Sequence, residues 1–258
     1  MKIIVSPAKK MRVDDGLAWQ ELPYFLSETE TLYQTLRSMT PAERQKLWKC
    51  NDQIAQQNNE RLERMNLLGD LTPAILSYDG IQYQYMAPSV FTDWEFRYVQ
   101  EHLRILSGFY GLLKPMDGVT PYRLEMQAKL SVNGAKDLYA FWGDRLARKL
   151  CEESDCIINL ASKEYSQCIS HHLPSGLRFV TCIFGEEQKG KIVEKGTLCK
   201  MARGEMVRYM AEQQINDPEQ LRNFEGRSHR YAAEYSSRDQ LVFLRKEESC
   251  KEKENDNE

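Results

Sequence analysis

The chain opens on Lys2–Ser6 (KIIVS), a short apolar run stopped by Pro7, which predicts a buried strand. That strand delivers Ser6, Lys9 and Lys10 to its C-terminal end, where open α/β sheets place their ligand sites. Residues 24–68 then read as helical, with Phe25, Leu32, Leu36 and Met39 at helical spacing. Thr40-Pro41-Ala42-Glu43 supplies the cap, first-turn proline and N3 acid of a fresh helix start. A third helical segment, Asp52–Leu68, keeps Ile54, Leu62 and Met65 on its inner stripe and ends at Gly69-Asp70.

Ile75–Tyr78 predicts a strand running into the turn signal Asp79-Gly80. Asp93–Leu103 predicts a helix along which Trp94, Tyr98 and His102 are spaced, either as core with a polar handle or as base-stacking groups. The densest stretch comes next at Leu103–Met126, LRILSGFYGLLKPMDGVTPYRLEM, where an apolar run meets a Gly108–Gly111 corner, two prolines and an Arg-Glu pair. Lys114, Arg123 and the backbone N–H groups near the two glycines suit convergence on an anion; the same pattern also fits a tight turn with solvated cations.

Asp137–Leu150 predicts one amphipathic helix, with Leu138, Phe141, Trp142, Leu146 and Leu150 inward and Arg145, Arg148 and Lys149 near its end. Asp155–Ala161 is a second buried strand, after which Ser162 is in position to cap a helix carrying Tyr165. Leu177–Gly185 and Lys191–Lys195 read as strands joined by a charged turn, and Leu198–Gln213 as a helix bearing Lys200, Arg203 and Arg208. Asp217-Pro218-Glu219 opens a short helix to Phe224, and Arg230–Tyr235 with Leu241–Leu244 closes the pattern as a strand pair. There is no internal repeat and no interdomain linker. The expected fold is α/β with mixed α+β content, a single compact domain over residues 1–245 with a central mixed sheet flanked by helices.

Composition agrees with a globular chain: 41% hydrophobic and 28% charged residues in 258. No apolar run reaches the ~20 residues of a membrane span, and the N-terminus lacks a signal-peptide profile, so a cytoplasmic protein that makes no membrane contact is expected. Seven cysteines without a C-x-x-C pair read as free thiols, and nothing marks a low-pKa cysteine with a resolving partner. Four scattered histidines supply no metal-ligand set, so neither a metal nor another cofactor is expected. The net charge of −3 resides wholly in residues 246–258, KEESCKEKENDNE, with three lysines against six acids, a tail that reads as disordered. In the body, residues 97–150 hold nine Lys/Arg against five Asp/Glu, an excess compatible with a basic groove.

Six blocks extend the picture: IVSPAKKM (Ile4–Met11), LSYDGIQY (Leu76–Tyr83), the Leu103–Met126 stretch, KDLYAFWGD (Lys136–Asp144), NLASKEY (Asn159–Tyr165) and ARGEMVRYM (Ala202–Met210). In that order and spacing the chain closely resembles the YaaA family of bacterial peroxide-stress proteins, over residues 1 to 244. The resemblance implies an unusual single-domain fold with a positively charged cleft and a helix–hairpin–helix-like element that binds double-stranded or distorted DNA without sequence preference. It also implies a role in limiting oxidative damage by lowering free intracellular iron. On this reading Gly108 and Gly111 form the hairpin, Lys114 and Arg123 neutralise phosphates beside it, and Lys9, Lys136 and Arg203 add phosphate contacts. The usual hairpin has one residue between its glycines; here there are two.

The rival reading is an enzyme acting on a nucleotide or another phosphorylated small molecule in the same cleft. The family blocks also hold Ser6, Asp79, Glu125, Asp144, Asn159, Ser162 and Tyr165, and backbone recognition of DNA does not require so many acids. Ser6, Lys9, Asp79 and Asp144 are the catalytic candidates: Ser6 with Lys9 as an activated pair, the acids either as general bases or as partners that orient cations.

Overall fold

The computed structural model describes residues 1–246; the charged tail beyond Lys246, expected to be disordered, lies outside the described residues. In chain order, β1 is Lys2–Val5 and β2 is Lys10–Met11. Three helices come after them, α1 (Leu26–Ser38), α2 (Pro41–Trp48) and α3 (Asp52–Arg64). Next are β3 (Thr72–Pro73), α4 (Ala74–Ser77), β4 (Tyr78–Asp79), α5 (Ile81–Met86) and α6 (Asp93–His102). The middle of the chain supplies β5 (Leu103–Ser107), β6 (Gly111–Leu113), β7 (Gly118–Val119), α7 (Leu138–Trp142) and α8 (Arg145–Glu153). The last part supplies β8 (Cys156–Leu160), α9 (Lys163–Ser170), β9 (Arg178–Gln188), β10 (Lys191–Val193), α10 (Gly196–Glu212), β11 (His229–Tyr231) and β12 (Gln240–Arg245).

The main sheet runs β11-β12-β9-β8-β1-β5-β6, with β10 paired to β9. Its interior strands β12, β9, β8, β1 and β5 are parallel, and β6, β10 and β11 add antiparallel pairs. β1 lies between β5 and β8, and Ile3, Ile4 and Val5 are wholly buried, which is what a strand covered on both faces requires. This is the mixed sheet flanked by helices, in one domain, that the alternating pattern predicts. The capping box at Thr40 and Glu43 forms as expected, and Thr92 with Glu95 makes a second one at the start of α6. No described helix is long and apolar enough to cross a membrane.

Two expected elements differ. Ile75–Tyr78 is not a strand: Ala74–Ser77 forms one buried helical turn, and only Tyr78–Asp79 extends to pair with β2. Ala74 and Ile75 donate their N–H groups to the carbonyls of Asp117 and Pro115, so a loop rather than a ladder takes up this backbone. The single helix expected over Asp137–Leu150 is two, because Gly143 adopts a φ of +53° that ends α7 before Asp144 opens α8.

One buried acid makes stability depend on pH. Asp117 is 2% exposed and accepts the backbone N–H of Lys114 at 2.9 Å. Burial pushes its carboxyl up to about 7, against the backbone hydrogen bond that draws it down. Between pH ~4 and ~7 the folded protein therefore holds a proton that the unfolded chain has released, and stability falls as pH rises through that window. Asp117→Asn, which keeps an acceptor and removes the charge, should flatten this slope. Its stability relative to the parent should rise between pH 4.5 and 8 by on the order of 1–4 kcal/mol, read from urea denaturation. Parallel curves for the two proteins would remove Asp117 as the source.

Candidate functional site

The chain leaves β1 towards β5 on one side and leaves the adjacent parallel strand β8 towards β9 on the other. The connections at the C-terminal ends of β1 and β8 therefore diverge and open a crevice between them, the place where open α/β sheets bind ligands. A recess of about 390 Å³ lies there, within the ~300–1,000 Å³ typical of small-molecule sites. Five segments build its walls: Ser6–Lys10 after β1, Asp79–Tyr83 entering α5, Tyr122–Glu125, Ser162–Tyr165 at the start of α9, and Lys200 with Arg203 on α10.

Ser6 and Ser162 join the two strand ends. The register pairs Val5 with Leu160, which brings residue 6 beside residue 162. Ser6 Oγ donates to Ser162 Oγ at 3.2 Å and accepts the Ser162 backbone N–H at 2.9 Å. Ser162 occupies the cap position of α9 as expected, but its hydroxyl makes no cap bond. It is held at the strand junction instead, a local rule broken at the crevice. Tyr83 donates its hydroxyl to the Ser6 carbonyl at 3.0 Å and so pins α5 to the same junction.

The recess is charge-paired. Lys9 Nζ lies 2.9 Å from Glu125 and Lys10 Nζ 2.6 Å from Asp79, while Arg123 is 3.9 Å from Glu125 and Arg203 is 3.1 Å from Glu194. Among the lining residues Lys200 has no carboxylate partner, and cations outnumber carboxylates five to three, so an anion is favoured over a cation. The Lys10 ammonium, hydrogen-bonded to Asp79, holds that carboxyl below its usual range. Glu164 behaves oppositely: burial raises its carboxyl, with the Glu125 charge adding to the effect and the N–H of Gln127 opposing it. Burial likewise raises the hydroxyls of Tyr83, Tyr122 and Tyr165, which stay protonated at neutral pH.

Nine buried side-chain polar atoms among the described residues have no hydrogen-bond partner, and three of them belong to this one recess: Gln82 Nε2, Arg123 Nε and Arg203 Nε. All three are donors. Leaving a buried donor unmatched costs about 1–3 kcal/mol, so their concentration here marks a wall that lacks acceptors.

Of the residues singled out from sequence, Ser6, Lys9, Asp79, Arg123, Glu125, Ser162, Tyr165 and Arg203 line the recess together. Four do not. Lys114 pairs with Glu21 at 2.7 Å and faces a separate surface depression with Arg104. Asp144 is exposed and pairs with Arg148 at 3.3 Å. Lys136 lies in the loop before α7, where its carbonyl accepts from Ser131. Asn159 is buried in β8, tied to the Ala161 N–H and to Thr181.

The Gly108–Gly111 corner is corrected outright: it joins strands β5 and β6, not helices, and is buried throughout. The N–H groups of Phe109 and Tyr110 both donate to Ser107 Oγ, so neither of these amides is free to meet a phosphate. With two N–H groups already accepted, Ser107 donates its hydroxyl to Tyr122 at 2.6 Å, and the Tyr122 hydroxyl is hydrogen-bonded to that of Tyr78 at 2.9 Å. The corner thus braces the recess wall from behind. Gln82 and Glu164 escape a reading of the sequence although both lie inside quoted blocks, since only burial separates them from ordinary surface residues.

Comparison with known proteins gives one consistent result. The family model described as peroxide stress protein YaaA matches residues 1–235. A UPF0246 protein of Agathobacter rectalis is 53% identical over 247 residues, covering 95% of this chain and 99% of its own. One from Lachnoclostridium phytofermentans is 52% identical over 254 residues, covering 98% and 100%. UPF0246 protein DSY0297 of Desulfitobacterium hafniense is 51% identical over 246 residues, covering 95% and 98%.

The serine junction predicts an order of effects. Ser6→Ala removes the acceptor of a backbone N–H as well as a hydroxyl bond, and should cost about 1–2 kcal/mol. Ser162→Ala removes only the hydroxyl bond and should cost less than about 1 kcal/mol. Urea midpoints measure both, and equal losses would contradict the geometry.

Proposed function

The chain belongs to the peroxide stress protein YaaA family, and from that premise we propose that the recess between β1, β8 and α10 is its working site and binds a phosphorylated small molecule. The observation that carries this reading is the pair of partly buried arginines lining the recess, Arg123 and Arg203, each with a buried Nε–H that lacks an acceptor. A guanidinium offers donors in a planar fork that suits phosphate oxygens. The lysines at the mouth are already matched to Glu125 and Asp79, which favours one compact anion over a long polyanion. Glu164, raised by burial, is the group suited to carry a proton to or from a bound ligand.

A second reading, DNA binding, draws on a different observation. Helices α2 and α3 are joined by Lys49-Cys50-Asn51, with Lys49 left-handed at φ +47° and Asn51 capping α3 through the Ile54 N–H. One residue separates these two turn positions, the spacing of a helix–hairpin–helix, and Lys46 and Lys49 are exposed beside them. On this reading the α2–α3 turn meets DNA phosphates in a cytoplasmic protein. Protection against peroxide and lowering of free iron would then stem from that contact rather than from iron ligation.

The two readings separate experimentally. A calorimetric panel of nucleoside monophosphates and sugar phosphates should give a binder whose affinity falls at least ~10-fold, about 1.4 kcal/mol, in Arg123→Ala and in Arg203→Ala. A panel with no binder removes the first reading. For the second, affinity for arbitrary duplexes should fall steeply with salt, and Lys46→Ala with Lys49→Ala should reduce the slope of log K against log salt by about 0.9 per lost contact. Binding that is absent or indifferent to salt removes it.

A further inference from the structure

The third unmatched donor of the recess is of a different kind from the other two. Gln82 sits on α5, is 6% exposed, lines the recess, and has no acceptor for its Nε2. It is uncharged, so a phosphate is not its natural partner: guanidinium groups hold that, and an amide matches a neutral acceptor. Its position is fixed. Gly204 of α10 lies so close to the Gln82 carbonyl that a Cβ at 204 has no room, which clamps α5 against the helix that carries Lys200 and Arg203.

The walls beside Gln82 are aromatic. The Tyr83 hydroxyl is spent on the Ser6 carbonyl and the Tyr122 hydroxyl on Ser107 and Tyr78, so what these residues add to the lining is ring carbon. A ligand that answers every feature needs an anionic oxygen for Arg123 and Arg203, flat apolar surface for the tyrosines, and a neutral acceptor on a polar edge for Gln82. Inorganic phosphate supplies the first alone. A sugar phosphate supplies no flat surface. A nucleobase edge sets an acceptor beside a donor, and a glutamine amide is complementary to that arrangement.

We infer that Gln82 is the specificity-determining residue of the recess and reads the polar edge of a nucleobase, so that the ligand is a nucleotide. The inference rests on the phosphorylated-ligand reading above and narrows it. Adenosine monophosphate and ribose 5-phosphate serve as probes, titrated into the full chain by calorimetry. The parent should bind the nucleotide at least ~10-fold more tightly than the sugar phosphate, a difference of about 1.4 kcal/mol.

Gln82→Leu should weaken the nucleotide by roughly 5- to 150-fold, the range for an unmatched buried polar group, and leave the sugar phosphate unchanged. Gln82→Met keeps the length of the side chain and removes its donor without adding a charge; it should show the same selective loss, and it keeps the test open should the leucine variant melt early. Equal affinity of the parent for both probes overturns the inference and leaves the phosphate seat standing. So does an equal loss of both probes in a variant whose melting temperature matches the parent. Binding of neither probe removes both readings at once.

Discussion

The constraint on which the rest depends is that two adjacent parallel strands send the chain in opposite directions. β1 and β8 are hydrogen-bonded neighbours, yet the chain crosses from β1 to β5 on one side and from β8 to β9 on the other. No single connection covers both strand ends, and the crevice between them is a consequence of topology before any side chain is considered. Ser6 and Ser162 close its floor with two hydrogen bonds, holding the strand ends without filling the space above them. The remaining walls arrive from distant parts of the chain, α5 and α10 among them, two helices that pack on each other, with α10 also against β9.

Rigidity behind the crevice comes from a buried polar chain. Ser107 accepts two corner amides and donates its hydroxyl to Tyr122, whose hydroxyl is in turn hydrogen-bonded to that of Tyr78. Every member is buried, and a satisfied buried network of this kind specifies one arrangement where apolar packing alone would tolerate several. Phe109 stacks on Tyr122 with ring centroids 4.9 Å apart, and Trp142 donates its indole N–H to the Gly108 carbonyl. The glycine corner that looks like an anion cradle in sequence is therefore the anchor of the wall, its amides turned inward.

That contrast shows how far the sequence is legible. Continuous apolar runs announce buried strands, so β1 and β8 are read near their true limits; so are helix α6 and, from its cap, the start of α2. Ala74–Ser77 fails because a short run of three apolar residues and a serine looks alike as a strand or a helical turn, and only the carbonyls of Asp117 and Pro115 decide between them. At the site, residues next to strand ends are legible: Ser6, Lys9 and Ser162 are placed by where β1 and β8 stop. Lys114 and Asp144 are not separable from them in sequence, since the partners that take them away, Glu21 and Arg148, are chosen by the fold. Gln82 is invisible there because nothing in a polar residue on a short helix signals that its amide is enclosed.

The charge pairs of the recess also bear on the size of what it receives. Lys9 and Lys10 are 65% and 78% exposed, and pairs so open to water contribute little, about 0–1 kcal/mol each, so they hold the mouth loosely and exchange partners cheaply. Arg123 and Arg203 are 13% and 12% exposed, and their buried Nε donors carry the larger penalty of unmatched groups. The free energy available to a ligand is thus concentrated on the deep wall and is thin at the rim. On the small-ligand reading, a polyanion across the mouth meets the exposed lysines, of which Lys9 and Lys10 are already held by Glu125 and Asp79. On the same reading, a compact anion enters as far as the wall that carries Arg123 and Arg203, where a long chain does not follow.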